Sequence, residues 1–214
     1  MSVPAKSPFY IVKEFISPLM CEELIDLCEF TVPDCDKKDK EVKTLKTSEA
    51  AEAVIYERVL QLIPDLQTHY GFEYKGTERV MFEWFPQGCK GDFECGNSNY
   101  LRGKWLRTKQ RDFSGILFLT DYQEKTPFEN TFEAYGGKLE FPQWNFGFHP
   151  QRGTLVIFPS DPHFINITST VVVGDLYQAR IHIAANDMWL YQPQHFPGKY
   201  TEWFASELNK NITP

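Results

Sequence analysis

The chain has 214 residues and a formal net charge of -7, with 22 basic and 29 acidic side chains. Aromatic residues make up 15% and hydrophobic residues 42%, which is typical of a folded globular protein rather than a disordered one. The acidic balance argues against non-specific binding to nucleic acids or membrane surfaces, because such binding depends on Lys and Arg. The length predicts a single domain over 1–214.

The histidines and cysteines are few, five of each, and no CxxC pair or HExxH motif occurs. This arrangement argues against a structural zinc site. The sequence shows neither a signal peptide nor a run of the ~18 apolar residues that span a bilayer. We therefore expect an intracellular, cytoplasmic protein with reduced thiols and no membrane partner.

The first region, 8–72, is predicted to be a helical support region. A short apolar strand over 9–12 opens it. Ser17 and Pro18 then supply an N-cap and a first-turn proline, which predict the start of a helix. A second helix is predicted over 51–66, where apolar residues recur at helical spacing and give one face to pack on a sheet.

From 78 to 190 the pattern changes to short runs rich in Val, Ile, Phe and Leu, separated by Gly, Pro, Asn and Asp. Such runs without intervening helices predict an antiparallel sandwich, jelly roll or barrel. The fold class expected is mainly β with flanking α, closed by a C-terminal helix over 200–211. The predicted strands cover 78–85, 114–119, 137–141, 154–158, 171–173 and 179–184.

The segment 150–163 carries the clearest chemical signal. A glycine turn at Gly153 leads into an apolar strand, which ends in a loop that presents His163. Arg180 lies in a later strand. Histidine can bind a metal ion and arginine can hold a carboxylate, so the pair suits a metal-chelating organic acid. The simpler alternatives are a loop histidine hydrogen-bonded to backbone, and an arginine paired with a nearby acid such as Asp175.

In these segments the chain resembles the prolyl-4-hydroxylase-like branch of the 2-oxoglutarate and Fe(II)-dependent oxygenases, which includes small phage and bacterial members. The resemblance implies a double-stranded β-helix, a jelly-roll or cupin-like barrel, with N-terminal helices. It also implies Fe(II) and 2-oxoglutarate as cofactors, O2 as co-substrate, and decarboxylation coupled to hydroxylation. The segments that carry it are 9–18, 21–25, 113–122, 136–142 and 153–163, followed by Arg180.

One family motif is altered. The family holds iron with two histidines and a carboxylate, written His-x-Asp/Glu plus a distal histidine. No His-x-Asp or His-x-Glu occurs in this chain. Aligned on Asn97, Glu94 replaces the histidine and Gly96 the aspartate; shifted by two residues, Asp92 replaces the histidine and Glu94 fits the carboxylate. The resemblance therefore implies His163 and Glu94 as metal-binding and catalytic residues, and Arg180 as the anchor of 2-oxoglutarate.

Three functions are open. The leading hypothesis is a 2-oxoglutarate-dependent dioxygenase with an atypical metal site, acting on a peptidyl (prolyl-type) or other small C–H substrate. The second is a catalytically degenerate member that works as a binding module. The third is a halogenase-like enzyme with an open site at Gly96. The basic stretch 102–111, which contains Trp105, has the pattern that binds phosphates and stacks bases. A solvated loop is the favoured interpretation, so nucleic acid is the less favoured partner.

Overall fold

The computed structural model describes residues 6–31, 41–45, 49–124 and 132–196. Two α-helices occur in these ranges, α1 (Pro18–Thr31) and α2 (Glu49–Tyr70). The strands are β1 (Tyr10–Val12), β2 (Lys43–Leu45), β3 (Tyr74–Thr77), β4 (Met81–Phe85), β5 (Ser98–Leu101), β6 (Lys104–Arg107), β7 (Phe113–Phe118), β8 (Asp121–Tyr122), β9 (Glu133–Gly136), β10 (Leu139–Phe141), β11 (Phe146–Phe148), β12 (Leu155–Pro159), β13 (Ile167–Thr168), β14 (Val171–Gly174) and β15 (Leu176–Ala185).

A seven-stranded sheet forms the centre of the molecule, in the order β1-β12-β7-β15-β4-β2, with β3 paired to the end of β15. Every pairing within this sheet is antiparallel. Smaller sheets comprise β11-β10-β13, β14-β9-β8 and the hairpin β5-β6. The predicted mainly β fold with flanking helices is confirmed. The helix predicted over 200–211 lies outside the described residues.

The two helices begin where local sequence signals place them. In α1, the Ser17 hydroxyl accepts a hydrogen bond from the Met20 backbone N–H at 3.2 Å, as an N-cap does. Helix α2 buries one stripe of apolar side chains, and its last residue, Tyr70, contacts the ring of Phe113 on β7 with centroids 4.4 Å apart. Helix α2 therefore covers one face of the large sheet, and α1 buries Cys21, Leu24 and Ile25 in the same core.

The other face of the large sheet packs on the smaller sheets. Phe158 of β12 meets Phe141 of β10 edge to face, with ring centroids 4.8 Å apart, and Phe9 contacts the same Phe141 ring at 4.8 Å. These contacts belong to one buried cluster that also includes the apolar stripe of α2. No helix within the described ranges is both long and apolar enough to cross a membrane.

Strand alternation decides which side chains enter the barrel. Successive residues of a strand point to opposite faces, so Gln178, Arg180 and His182 share one face of β15. Ala179, Ile181 and Ile183 share the helix-covered face, because Ile183 is the register partner of Phe113. All three polar side chains are buried. A run of polar residues inside an otherwise apolar sheet marks the place of the candidate site.

Candidate functional site

A cavity of about 510 Å³ opens beside this polar run, a volume within the range of small-molecule sites. We call it the mouth cavity. Its floor comes from β4 and β15, and its rim comes from the 93–96 loop and the β5–β6 hairpin. The lining residues are Thr44, Met81, Glu83, Phe93, Glu94, Cys95, Gly96, Ser98, Asn99, Tyr100, Trp105, Lys109, Arg111, Arg180 and His182.

Arg180 on the floor is held between two carboxylates. Its Nε donates to Glu83 Oε1 at 3.0 Å and its Nη2 donates to Glu83 Oε2 at 3.2 Å, a bidentate pair across β15 and β4. Its Nη1 forms an ion pair with Glu94. Gln178 also donates to Glu83 Oε2, at 2.7 Å. The side chain of Arg180 is 7% exposed, so its binding capacity is taken up by protein groups.

Glu94 stands at the edge of the floor. Its partial burial raises the pKa of the carboxyl; Arg180 opposes this shift and Glu83 reinforces it. Glu94 forms an isolated antiparallel β-bridge with Asn166, and the two exchange backbone hydrogen bonds at 2.8 and 3.0 Å. Asn166 is buried, and its amide donates to the carbonyl of Phe164 at 3.3 Å.

His182 lies deeper, against two serines. Its Nδ1 is 3.2 Å from the Ser114 hydroxyl, which is 2.7 Å from the Ser160 hydroxyl. Its Nε2 is buried and has no hydrogen-bond partner among the described residues. Burial, and then the charges of Arg111, Arg180 and Lys109, lower the pKa of His182 to about 2. The ring is therefore neutral and offers one unused nitrogen at the cavity wall.

His163 lies elsewhere. It sits in a 3-10 turn, Pro162–Phe164, and its side chain is 62% exposed. Its Nδ1 and its backbone N–H both contact Asp161 Oδ1, at 2.8 and 2.9 Å, and its ring faces Tyr191. The structure therefore brings Glu94 and Arg180 together but does not place His163 in the lining of the mouth cavity.

The rim hairpin, β5–β6, projects from the barrel. Arg102 and Gly103 both have positive φ, which is typical of the two-residue turns that close hairpins. The rings of Tyr100 and Trp105 are cross-strand partners with centroids 5.2 Å apart. Both line the mouth cavity yet stay 61% and 40% exposed.

Comparison with solved structures identifies the architecture. The viral collagen prolyl hydroxylase of Paramecium Bursaria Chlorella virus-1, in its 2-oxoglutarate complex, matches with a TM-score of 0.58 and 17% identity, over 85% of this chain and 97% of that one. A prolyl-4-hydroxylase of Pseudomonas putida matches with a TM-score of 0.58 and 13% identity, over 84% of this chain and 94% of that one. This chain has the fold of the prolyl-4-hydroxylase-like 2-oxoglutarate oxygenases.

A third oxygenase structure agrees. The prolyl hydroxylase of Trichoplax adhaerens, bound to a peptide of hypoxia inducible factor, matches with a TM-score of 0.60 and 15% identity, over 83% of this chain and 84% of that one. No family model matches the sequence, and no curated protein matches it either. The predicted double-stranded β-helix is confirmed, on structural likeness alone.

The floor does not fit the Fe(II) that this oxygenase fold implies. Glu94 already neutralises Arg180, and a metal ion at its carboxylate would lie beside a buried guanidinium of like charge. Asn166, which faces Glu94, supplies an amide whose N–H groups are engaged, and amide oxygen is a poorer partner for Fe(II) than imidazole. Within the part of the chain that the structure describes, no three His, Cys, Asp or Glu side chains are grouped to share a metal ion.

The floor does not fit 2-oxoglutarate either, because Glu83 and Glu94 occupy Arg180, the predicted anchor for its carboxylate. Nor does the halogenase alternative gain support at Gly96. A Cβ built there would collide with the Ser114 hydroxyl and lie 2.9 Å from Ser160 Cβ. The two serines therefore already fill the space that an aspartate side chain at position 96 would occupy.

Sequence reasoning missed Glu83, His182 and Asn166 as parts of the site. The alternative partner proposed for Arg180, Asp175, instead accepts from the Gln87 backbone N–H at 3.2 Å. The feature that could have identified Glu83 from the sequence is its position between Phe82 and Trp84 in an apolar strand. Because side chains alternate along a strand, Glu83 lies on the face opposite to these two aromatic side chains. For Asn166 no local signal exists, because only the pairing with Glu94 reveals it.

Proposed function

We propose that this chain is an oxygenase-fold protein that has exchanged iron chemistry for ligand binding in the mouth cavity. The observation that carries the proposal is the ion-paired floor, in which Glu83 and Glu94 saturate Arg180. An oxygenase of this fold needs an arginine that is free to receive a keto acid and carboxylates that are free to receive iron. In this chain Arg180 and the two carboxylates pair with one another instead.

The electrostatics of the floor support the same conclusion. Within the floor itself, two carboxylates and one guanidinium leave a formal charge of -1, so Arg180 offers no net positive charge to a carboxylate of 2-oxoglutarate. Displacing Glu83 would leave a carboxylate buried without its partner, and such a group costs several kcal/mol. His182 cannot serve as a proton acceptor near neutral pH, because its pKa is about 2.

The deciding experiment is an anaerobic titration of the protein with Fe(II) and 2-oxoglutarate. We expect no metal-to-ligand charge-transfer absorption, and no succinate after air is admitted. A charge-transfer band together with succinate formation would overturn the proposal and restore the predicted dioxygenase, with His163 and Glu94 as its expected metal ligands.

A second experiment tests the ion-paired floor directly. Replacing Glu94 by Ala frees Arg180 Nη1, so we expect calorimetry to detect weak succinate binding by Glu94→Ala and none by the wild-type protein. The matched control is Asp92→Ala, which removes an exposed carboxylate two residues away. Equal succinate binding by the wild type and both variants would contradict the proposal that Glu83 and Glu94 keep Arg180 from binding a carboxylate ligand.

A further inference from the structure

The rim of the mouth cavity combines features that the floor alone does not explain. We infer that the mouth cavity binds a nucleotide unit, an unstacked nucleobase with its phosphate, taken from a single strand or from a free nucleotide. The inference rests on the proposed function, because the same cavity must be free of an iron centre. Three separate groups of residues indicate that the ligand is a nucleotide.

The first group is aromatic. Phe93, Tyr100 and Trp105 line the cavity and remain 68%, 61% and 40% exposed. Three large rings around one opening leave more apolar surface in water than isolated exposed residues do, and such patches mark binding sites. Planar bases stack on rings of this kind without regard to base identity.

The second group is cationic. Arg107, at the end of the hairpin, donates to Asp112 at 2.9 Å, and Arg111, four residues further on, donates to Glu78 at 2.8 Å, so both arginines are already engaged by carboxylates. Among the described residues, the side chains of Arg102, Lys104 and Lys109 form no ion pair. Lys109 lines the cavity and its charge lowers the pKa of Glu94, whereas Arg102 and Lys104 lie at the tip of the hairpin. The rim is therefore locally positive on a protein of net charge -7, and such a surface attracts anions.

The third group is at the floor. His182 is 2% exposed, and its Nε2 has no partner among the described residues although it belongs to the cavity lining. A buried polar atom of this kind requires a hydrogen-bond partner. Either tautomer of the neutral ring can pair with a base edge, which carries both donors and acceptors, and the Glu94 carboxylate can accept from an exocyclic amino group.

An acidic peptide fits these groups less well. Its carboxylates would meet the lysines, but it offers no planar ring for the three aromatic side chains. At the floor it would meet Glu83 and Glu94, whose combined charge exceeds that of Arg180. A nucleotide separates its charge from its base, so the phosphate can stay at the rim while the neutral base enters.

The test uses the full chain and fluorescein-labelled single-stranded DNA and RNA of about ten nucleotides, a length that matches typical single-strand sites. Fluorescence anisotropy at low salt measures binding. Competition between the labelled oligonucleotide and nucleoside monophosphates distinguishes the two sources. If the monophosphates displace the oligonucleotide about as well, per nucleotide, as unlabelled strand does, the ligand is a free nucleotide. If they displace it much less well, the ligand is a single strand. No binding of any of these probes, or equal displacement by polyglutamate, would overturn the inference.

Two pairs of variants locate the site. Trp105→Ala should weaken binding roughly ten-fold through lost stacking, while Tyr135→Ala, an exposed aromatic outside the cavity, should not. Lys109→Ala should weaken binding and reduce the slope of log Kd against log salt by roughly 0.7, unlike Lys13→Ala at an exposed position outside the cavity. Unchanged affinity in both cavity variants would contradict the assignment.

The outcomes separate this inference from the proposed function. Absence of nucleotide binding with no charge-transfer band and no succinate would overturn the nucleotide assignment alone. Succinate formation would overturn the iron-free function, whatever the oligonucleotides do.

Discussion

The floor of the mouth cavity and its rim hairpin differ in how their charges are used. On the floor, the buried Arg180 contacts two carboxylates, and each of its nitrogens has a protein partner. On the rim, Lys104 and Lys109 are exposed and form no ion pair within the described residues. Each floor charge satisfies another, so removing one partner would leave a buried charge unpaired, whereas no such penalty applies to the exposed rim charges. An arginine at the position expected from a family resemblance therefore need not bind the family's ligand, because its protein partners decide whether it is available.

The largest expected effect comes from removing the floor arginine. Arg180→Ala leaves Glu83 buried without a countercharge, which should reduce the free energy of unfolding by about 3–5 kcal/mol. The matched control is Arg79→Ala, because Arg79 pairs with Glu52 at 2.6 Å but is 71% exposed, and exposed pairs contribute little to stability. Urea denaturation measures both variants, and equal losses would erase the contrast between buried and exposed pairs.

The next effect is acid destabilisation through His182. The folded-state pKa is about 2, below the unfolded value near 6.5, so the unfolded chain binds the extra proton. Stability should therefore fall as the pH drops below about 6.5, with this residue contributing up to about 1.4 kcal/mol per pH unit. The measurement is the free energy of unfolding between pH 7 and 5 for the wild type and His182→Gln. An unchanged pH slope in the variant would show that His182 is not the source.

A loss of similar size is expected at Gly96, the glycine of the 93–96 loop that packs against the two serines. Gly96→Ala places a methyl group against Ser114 and Ser160 and should cost about 1–3 kcal/mol by overpacking. Gly76→Ala on β3 is the control, since a Cβ at Gly76 meets nothing within 4 Å. Thermal unfolding compares the two, and a harmless Gly96→Ala would mean that the space near the serines is open.

The smallest effect on stability is expected on the rim. Trp105→Ala should change the free energy of unfolding by no more than about 0.5 kcal/mol, because the residue is 40% exposed and its ring contacts the still more exposed Tyr100. Trp189→Ala provides the contrast, since its ring packs against Phe113 with centroids 4.9 Å apart and donates to the Tyr70 carbonyl at 3.0 Å. A large loss in Trp105→Ala would indicate that the hairpin supports the fold rather than a ligand.

Local patterns predicted most of the framework. The helix predicted over 51–66 is contained in α2, and the strands predicted over 154–158 and 179–184 correspond to β12 and β15. The sequence predicts a loop where the structure has the rim hairpin, because the exposed side chains of the hairpin lack the alternation of a half-buried strand. The Arg102-Gly103 turn is the one local feature that indicates a hairpin there. The predicted ligand roles of His163 and Glu94 stay predictions.

The amino-acid sequence was sufficient to predict the succession of helices and strands and the oxygenase-like order of motifs, since both depend on residues close together in the chain. Which side chains meet in the site depends instead on how distant segments pack. Glu83 reaches Arg180 across 97 positions, because the register of β4 on β15 brings them together. That register is set by packing of the whole sheet, and so the occupied arginine could not be deduced from any local pattern.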